Sequence, residues 1–217
     1  MKIIKYIVGF KVLIVLLCIT SCNSTNTDKA QLLANGDLRY IELEGSACER
    51  GLKHGKFLKP EIKAVTDSLL NDIEKTTNIN PRDFISKFLS ETDFLSEIKK
   101  WTPELLEEIK GISDGSGIDY EIIFMHQLGD EFFFNTEYIM AHKCSSIGIN
   151  KTSNHSSIAA QNMDIPKYFH GYQTVMKIKN KNGIESMILT IPGHIGITGM
   201  NNKQVSVNCN ILMQLDY

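Results

Sequence analysis

The chain has little that would serve a nucleic acid, a metal ion or a membrane span. Its 23 Lys and Arg stand against 25 Asp and Glu across 217 residues, a net charge of −2. No basic patch is available to follow a phosphate backbone, so nucleic acid is not an expected partner. The six histidines are scattered, with no HExxH and no paired ligand spacing. Neither a metal site nor a cofactor is expected. The Gly-rich stretch at 111–117 has no GK[ST] and follows a helical pattern rather than a strand, which argues against a phosphate loop. The apolar run at 6–19, broken by Lys11, is shorter than the ~20 residues a spanning helix needs.

That run has a different use. It follows a positive start, Met1-Lys2-Ile3-Ile4-Lys5, and ends in Ile19-Thr20-Ser21-Cys22. A basic start, an apolar middle and small residues at the end make an export signal. The Cys after small residues resembles a bacterial lipobox. The expectation is a leader over 1–21, lipid on Cys22, and a polar tether over 22–37, leaving the protein anchored to a membrane of the cell envelope. Removal of Lys2, Lys5 and Lys11 leaves 20 basic against 25 acidic side chains. Cys18 leaves with the leader and Cys22 is taken by lipid. Cys48, Cys144 and Cys209 remain, and an odd number leaves at least one free thiol. A Cys48–Cys209 bridge is one pairing that spacing alone does not decide.

Residues 38–43 alternate and predict a strand. The segment 45–55, Gly-Ser-Ala-Cys-Glu-Arg-Gly-Leu-Lys-His-Gly, is helix-like but carries three glycines, as where a backbone approaches another element closely. Arg50 and His54 lie four apart and share one helix face. They are candidate substrate contacts, against the plainer reading of a structural pair. Ile62, Val65, Leu69 and Ile73 keep helical spacing. Asn80-Pro81 and Thr102-Pro103 each read as a cap followed by Pro in the first turn. The run at 111–117 is expected to end the second of these helices, and Asp119 to start another.

At Lys143-Cys144 the pattern changes. Five β-like runs follow, at 145–149, 156–161, 172–179, 185–191 and 204–210, separated by Asn- and Gly-rich turns. The expected class is α+β. A cysteine opening a strand at such a switch is either an inert buried thiol or a nucleophile that becomes a new N-terminus, with its freed α-amine as base. If the first two runs pair as a hairpin, Asp164 comes near Cys144, as an orienting carboxylate or as a turn residue. Asn208 and Asn210 lie two apart on one side of their strand. A side-chain amide there is a candidate oxyanion donor or an ordinary polar-face residue.

These marks agree in order and spacing with one family. The segment 45–55 resembles GSxxERGxxHG, and 102–112 with Asp114-Gly115 resembles TPELxEEIxGIADG. Cys144-Ser145-Ser146 resembles CTS, Gln161-Asn162-Met163-Asp164 resembles QNWD, and 199–210 resembles GMNxxGxxVxxN. Over residues 38–212 the chain resembles the acyl-coenzyme A:isopenicillin N acyltransferase family of N-terminal-nucleophile hydrolases, relatives of choloylglycine hydrolase and acid ceramidase. The resemblance implies an αββα sandwich behind a helical pro-segment, here 38–143. It implies autocatalytic cleavage between Lys143 and Cys144, with Cys144 as nucleophile, Asp164 orienting it and Asn210 in the oxyanion hole. The implied substrate is a small acyl amide, hydrolysed or used for acyl transfer. Departures are Ser145 for Thr, Met163 for Trp, Gln204 for a turn Gly, and Lys143 where relatives carry a small residue.

Residues 144–217 are expected to be only the N-terminal part of the hydrolase domain, because a two-sheet sandwich needs well over a hundred residues by order of magnitude. A truncated chain is therefore the expectation, and an intact smaller fold the alternative. Other readings remain in play. One is a papain-like enzyme needing His155, His170 or His194. Another is a non-catalytic binding lipoprotein of the same fold. The last is an inactive fragment of the enzyme.

Overall fold

The computed structural model describes residues 38–133 and 144–210. The expected leader, the lipidation site Cys22, the tether to residue 37 and the cleavage residue Lys143 lie outside the described residues. The class is α+β, as expected.

The chain enters through β1 (Arg39–Glu44), whose Ile41 and Leu43 are buried while Glu42 and Glu44 face out. Gly45, at φ +108°, turns it into α1 (Ala47–Phe57). Ser46 caps that helix. Its hydroxyl accepts from Glu49 N at 3.3 Å and the Glu49 carboxylate accepts from Ser46 N at 2.8 Å, a reciprocal capping box. This explains the Ser and Glu of the 45–55 segment as helix-start chemistry. In α2 (Lys59–Thr77) the residues Ile62, Val65, Leu69 and Ile73 are all buried. The start of α3 (Pro81–Glu91) is as predicted, since the Asn80 side chain accepts from Arg82 N at 2.9 Å. Helices α4 (Phe94–Trp101), α5 (Pro103–Ser116), α6 (Tyr120–Gln127) and the short α7 (Gly129–Phe133) follow. No helix among the described residues is long and apolar enough to cross a membrane.

The run at 111–117 ends α5 as expected, but only at its last residue, and the glycines at 111 and 115 lie inside the helix. The helix runs through them and stops at Gly117, φ +76°, whose N–H donates to Ser113 O at 2.8 Å. They are there because α1 crosses α5 at backbone contact. A Cβ on Gly51 would stand 2.0 Å from Glu108 O, and one on Gly55 2.4 Å from Ile112 O. From the other side, a Cβ on Gly111 would meet Cys48 O and one on Gly115 would meet Leu52 O, each at 2.4 Å. Two Gly-x-x-x-Gly faces are thus pressed together. Each glycine lowers intrinsic helix propensity, and close packing of the two backbones offsets that cost.

Among the described residues seven strands form two sheets. The larger has the order β1-β4-β5-β6-β7, with β4 at Thr174–Lys179, β5 at Glu185–Thr190, β6 at Thr198–Asn201 and β7 at Ser206–Val207. β1 pairs parallel with β4, Ile41 opposite Met176, and the remaining pairs are antiparallel. One face packs Ile41, Leu43, Met176 and Ile178 against Ile62, Ile109, Ile112 and Ile123 of the helices. The other carries the ion pairs Glu42–Lys179 at 2.7 Å and Lys177–Glu185 at 3.0 Å. Exposed Met187, Leu189 and Met200 share that face. The stretch before Cys144 therefore does not pack as a unit of its own: its first strand is an edge of the sheet that residues 174–207 complete.

The last predicted turn is displaced. The expected turn at 199–202 is largely strand, and the turn falls at 201–205, where Asn201 Oδ1 accepts from Lys203 N at 2.9 Å and Val205 N at 3.1 Å. Gly199 belongs to β6 because a Cβ there would stand 2.4 Å from Met187 O of the neighbouring strand. Gln204 in this turn has φ +64°, the backbone state that explains why the resembled pattern has Gly there.

Candidate functional site

The second sheet is a hairpin of β2 (Ser145–Ile149) and β3 (Ile158–Asn162). Its register is Ser145 opposite Asn162, Ser146 opposite Gln161 and Ile147 opposite Ala160. Cys144 stands immediately before β2 as a half-buried free thiol. Side chains alternate along a strand, so residue 144 falls on the face of Ser146 and Gln161. Asp164 follows β3 two residues past its end and is exposed. The pairing that was to bring 164 toward 144 is present in the hairpin register.

After β7 the chain leaves the large sheet and lays residues 208–210 along the hairpin. Asn208 Nδ2 donates to Ala160 O at 3.2 Å. Asn210 Nδ2 donates to Ser146 Oγ at 2.9 Å, and Asn210 Oδ1 accepts from Gln161 Nε2 at 3.1 Å. Gln161 also bonds both backbone groups of Cys209, accepting from its N at 3.3 Å and donating to its O. Both asparagines thus turn to the hairpin, and Asn210 lies beside the strand that Cys144 opens; the strand expected at 204–210 is only Ser206–Val207, so they stand beyond it rather than on its polar face. Gln161 was not singled out from sequence; its signal was its place opposite Ser146 once the hairpin register is drawn. Cys209 is a free thiol, so the Cys48–Cys209 bridge is not formed.

Arg50 and His54 are elsewhere, in the interior behind the large sheet. Arg50 Nη2 donates to Glu108 Oε2 at 2.5 Å and Nη1 to Gly45 O at 3.0 Å. Burial pushes the Glu108 carboxyl up, against the lowering influence of Arg50. The His54 ring is fully buried and its Nε2 accepts from Gly193 N at 3.0 Å. The proton is therefore on Nδ1, which is buried with no partner among the described residues. His126 Nε2 bonds Pro192 O at 3.0 Å, and the His126 and His194 rings meet edge-on at 4.2 Å. Gln127 bonds Gly193 O at 2.7 Å and Ile195 N at 3.0 Å. Burial holds His54 down at about 3 and His194 at about 4, and keeps His126 well below its ordinary value. Three neutral imidazoles from α1, α6 and the β5–β6 loop therefore lock that loop to the helices. In this arrangement Arg50 and His54 hold structural partners, and His54 is closed to a substrate.

For the papain-like alternative, His194 lies in this buried cluster and His155 Nδ1 bonds Ser156 O at 2.8 Å in its own loop. Among the described residues no group of His, Cys, Asp and Glu is arranged to hold a metal ion. An open groove of about 260 Å³ lies at the β5–β7 edge, lined by Ile188, Thr198, Gly199, Val205 and Val207 among others. Thr198 Oγ1 links it to the hairpin side by donating to Asn208 Oδ1 at 3.3 Å.

No family model matches the chain. Over 126 residues it is similar to protein dcd1A of Dictyostelium discoideum, at 31% identity. That match covers 51% of this chain and 27% of the relative, so the chain spans about a quarter of the length of the curated relative it matches.

Proposed function

We propose that the chain is an exported, lipid-anchored cysteine hydrolase or acyltransferase of the N-terminal-nucleophile class, acting on the carbon–nitrogen bond of a small acyl amide. The observation that supports this best is the network around the hairpin. Asn210 is hydrogen-bonded both to Ser146, on the strand that Cys144 opens, and to Gln161, opposite Ser146 on its hairpin partner. In this reading the hairpin and the five-stranded sheet belong to the two facing sheets of an αββα sandwich.

Activation begins on the chain itself. The Cys144 thiolate adds to the Lys143 carbonyl, the Lys143–Cys144 C–N bond breaks as nitrogen takes a proton, and water hydrolyses the resulting thioester. This frees an α-amine, whose ordinary pKa of about 7.7–8.0 suits a base near neutral pH. On substrate, the amine takes the thiol proton and sulfur adds to the amide carbonyl. An Asn210 Nδ2–H donates to the oxyanion, and the amine returns its proton to the leaving nitrogen. Water or an acceptor amine then removes the acyl group from sulfur. Asp164 orients the α-ammonium of Cys144.

The test is intact-mass and N-terminal analysis of the exported protein, with turnover on a panel of acyl amides. Wild type should yield a polypeptide beginning at Cys144 and release amine. Cys144→Ala should remain one chain and release none. An alanine variant that hydrolyses the panel as wild type does refutes the mechanism.

A further inference from the structure

We infer that Gln161 is a positioning residue that sets the direction in which the Asn210 side-chain amide points. The inference rests on the proposed role of Cys144 and goes beyond it in assigning what aims the oxyanion donor.

Residues 208–210 have no ladder pairing with the large sheet, whose hold on them is Thr198 Oγ1 donating to Asn208 Oδ1 at 3.3 Å. The β6–β7 ladder pairs only Gly199 with Val207 and Met200 with Ser206. What fastens the segment beyond Val207 to the hairpin is side chains, and Gln161 makes three of those bonds. It meets the Cys209 peptide as a strand would, with Oε1 accepting from N and Nε2 donating to O. Its Nε2 also donates to Asn210 Oδ1 at 3.1 Å. One glutamine amide therefore stands in for a missing ladder partner.

That third bond carries chemical information. A primary amide has an acceptor end and a two-proton donor end of nearly the same shape. Gln161 presents a donor to Asn210, so the Asn210 oxygen must turn to Gln161 and its nitrogen away. The nitrogen then faces the Cys144 strand, where one N–H is taken by Ser146 Oγ at 2.9 Å. The second N–H is the one available to an oxyanion. A flipped Asn210 would oppose two NH₂ groups at Gln161 and offer an oxygen where negative charge develops.

Gln161→Glu tests this with almost no change in shape. The carboxylate can still accept from Cys209 N, but it sets an acceptor against both Cys209 O and Asn210 Oδ1, and only the second repulsion is relieved by a flip of the Asn210 amide. Loss of one oxyanion-hole donor lowers kcat by about 10²–10³-fold, and Gln161→Glu should fall by a comparable factor with KM within about threefold. Asn210→Ala should show a similar loss, and the double variant should be no slower than Asn210→Ala alone, since both remove one donor. Gln161→Leu, which loosens the segment without reversing the polarity, should cost less than Gln161→Glu. Alkylation of Cys144 by iodoacetamide should proceed at the wild-type rate in all of them, which a collapsed site would not allow. If wild type turns over through Cys144 while Gln161→Glu keeps kcat within twofold, or if the losses multiply in the double variant, the positioning role is wrong and the nucleophile stands. If wild type releases no amine, or Cys144→Ala equals it, the reading of the site falls and this inference with it.

Discussion

Acidification should weaken this fold before its carboxylates titrate, because of two buried imidazoles, His54 and His126, and the half-buried His194 beside them. An exposed His has a pKa near 6.5. In the fold His54 is held at about 3, His194 at about 4, and His126 also well down, all through burial first. Below pH 6.5 the unfolded chain therefore binds protons that the folded chain refuses. Stability rises with pH wherever the unfolded state holds more protons. The contribution is complete above about pH 6.5 and declines as pH falls toward the folded values. Each imidazole loses about 1.4 kcal/mol per pH unit in that window. At pH 5 this is roughly 2 kcal/mol for His54, against a typical total of about 5–15 kcal/mol, and the lowered His126 and His194 act in the same direction. The assay is urea unfolding followed by circular dichroism at half-unit steps from pH 7.5 to 5. A second chain, His54→Gln, keeps an acceptor for Gly193 N and removes one titrating ring, so its slope should be about one third shallower. Glu108, which burial pushes up, works in the opposite direction but is common to both chains. Identical slopes, or an unfolding midpoint that does not move between pH 7 and 5, would show that these rings are not buried neutral partners of the β5–β6 loop.

Three further outcomes are expected from urea unfolding at pH 7. Gly51→Ala should destabilise by about 3 kcal/mol or more, at the top of the overpacking range, because its Cβ would stand 2.0 Å from Glu108 O; a loss under about 0.5 kcal/mol would mean that α1 and α5 are not in backbone contact. Arg50→Met should cost about 3–5 kcal/mol by stranding the buried Glu108 carboxylate, and Arg50→Met with Glu108→Gln should recover much of it; an unrecovered double variant would contradict the ion pair. Gln204→Gly should be neutral or stabilising by up to about 1 kcal/mol, since it relieves a left-handed residue that costs roughly 1–2 kcal/mol at some expense in chain entropy; clear destabilisation would contradict the positive φ.

What was legible in the sequence was mostly local. The stripe Ile62, Val65, Leu69, Ile73 and the cap at Asn80-Pro81 need only neighbours a few residues away, and the α2 stripe and the α3 start follow them. Strand β2 spans the residues that its pattern predicts, and β1, β4 and β5 start or stop within two residues of theirs. What was not legible is long-range. The run 111–117 ends α5 at Gly117, but Gly111 looks like any helix-ending residue until Gly51 is brought against it from sixty positions away. The parallel pairing of β1 with β4 likewise has no trace in either strand, because both alternate in the way that antiparallel neighbours also would.

The same division runs through the candidate site. Arg50 and His54 share a helix face, and spacing alone offered them as substrate contacts while favouring the plainer reading of structural partners. Only the fold supplies Glu108, fifty-eight positions on, and Gly193, a hundred and thirty-nine positions on. Once those partners are drawn, His54 Nε2 and both Arg50 Nη groups are used, while His54 Nδ1 and Arg50 Nε are buried with no partner among the described residues. For Asn210 the argument runs the other way. Its alternation with Asn208 presupposed a strand that stops at Val207, and nothing in 208–210 says what turns the amide. That depends on Gln161, whose own neighbours in sequence mark it only as the first residue of a short polar segment. The hairpin register is the missing term: with Ser146 opposite Gln161, the two ends of the Asn210 amide meet one donor and one acceptor. A strand slip of one residue would carry Gln161 to the other face and leave that amide without a preferred direction. The chemistry proposed for Cys144 therefore depends on the register of β2 and β3 as much as on the cysteine.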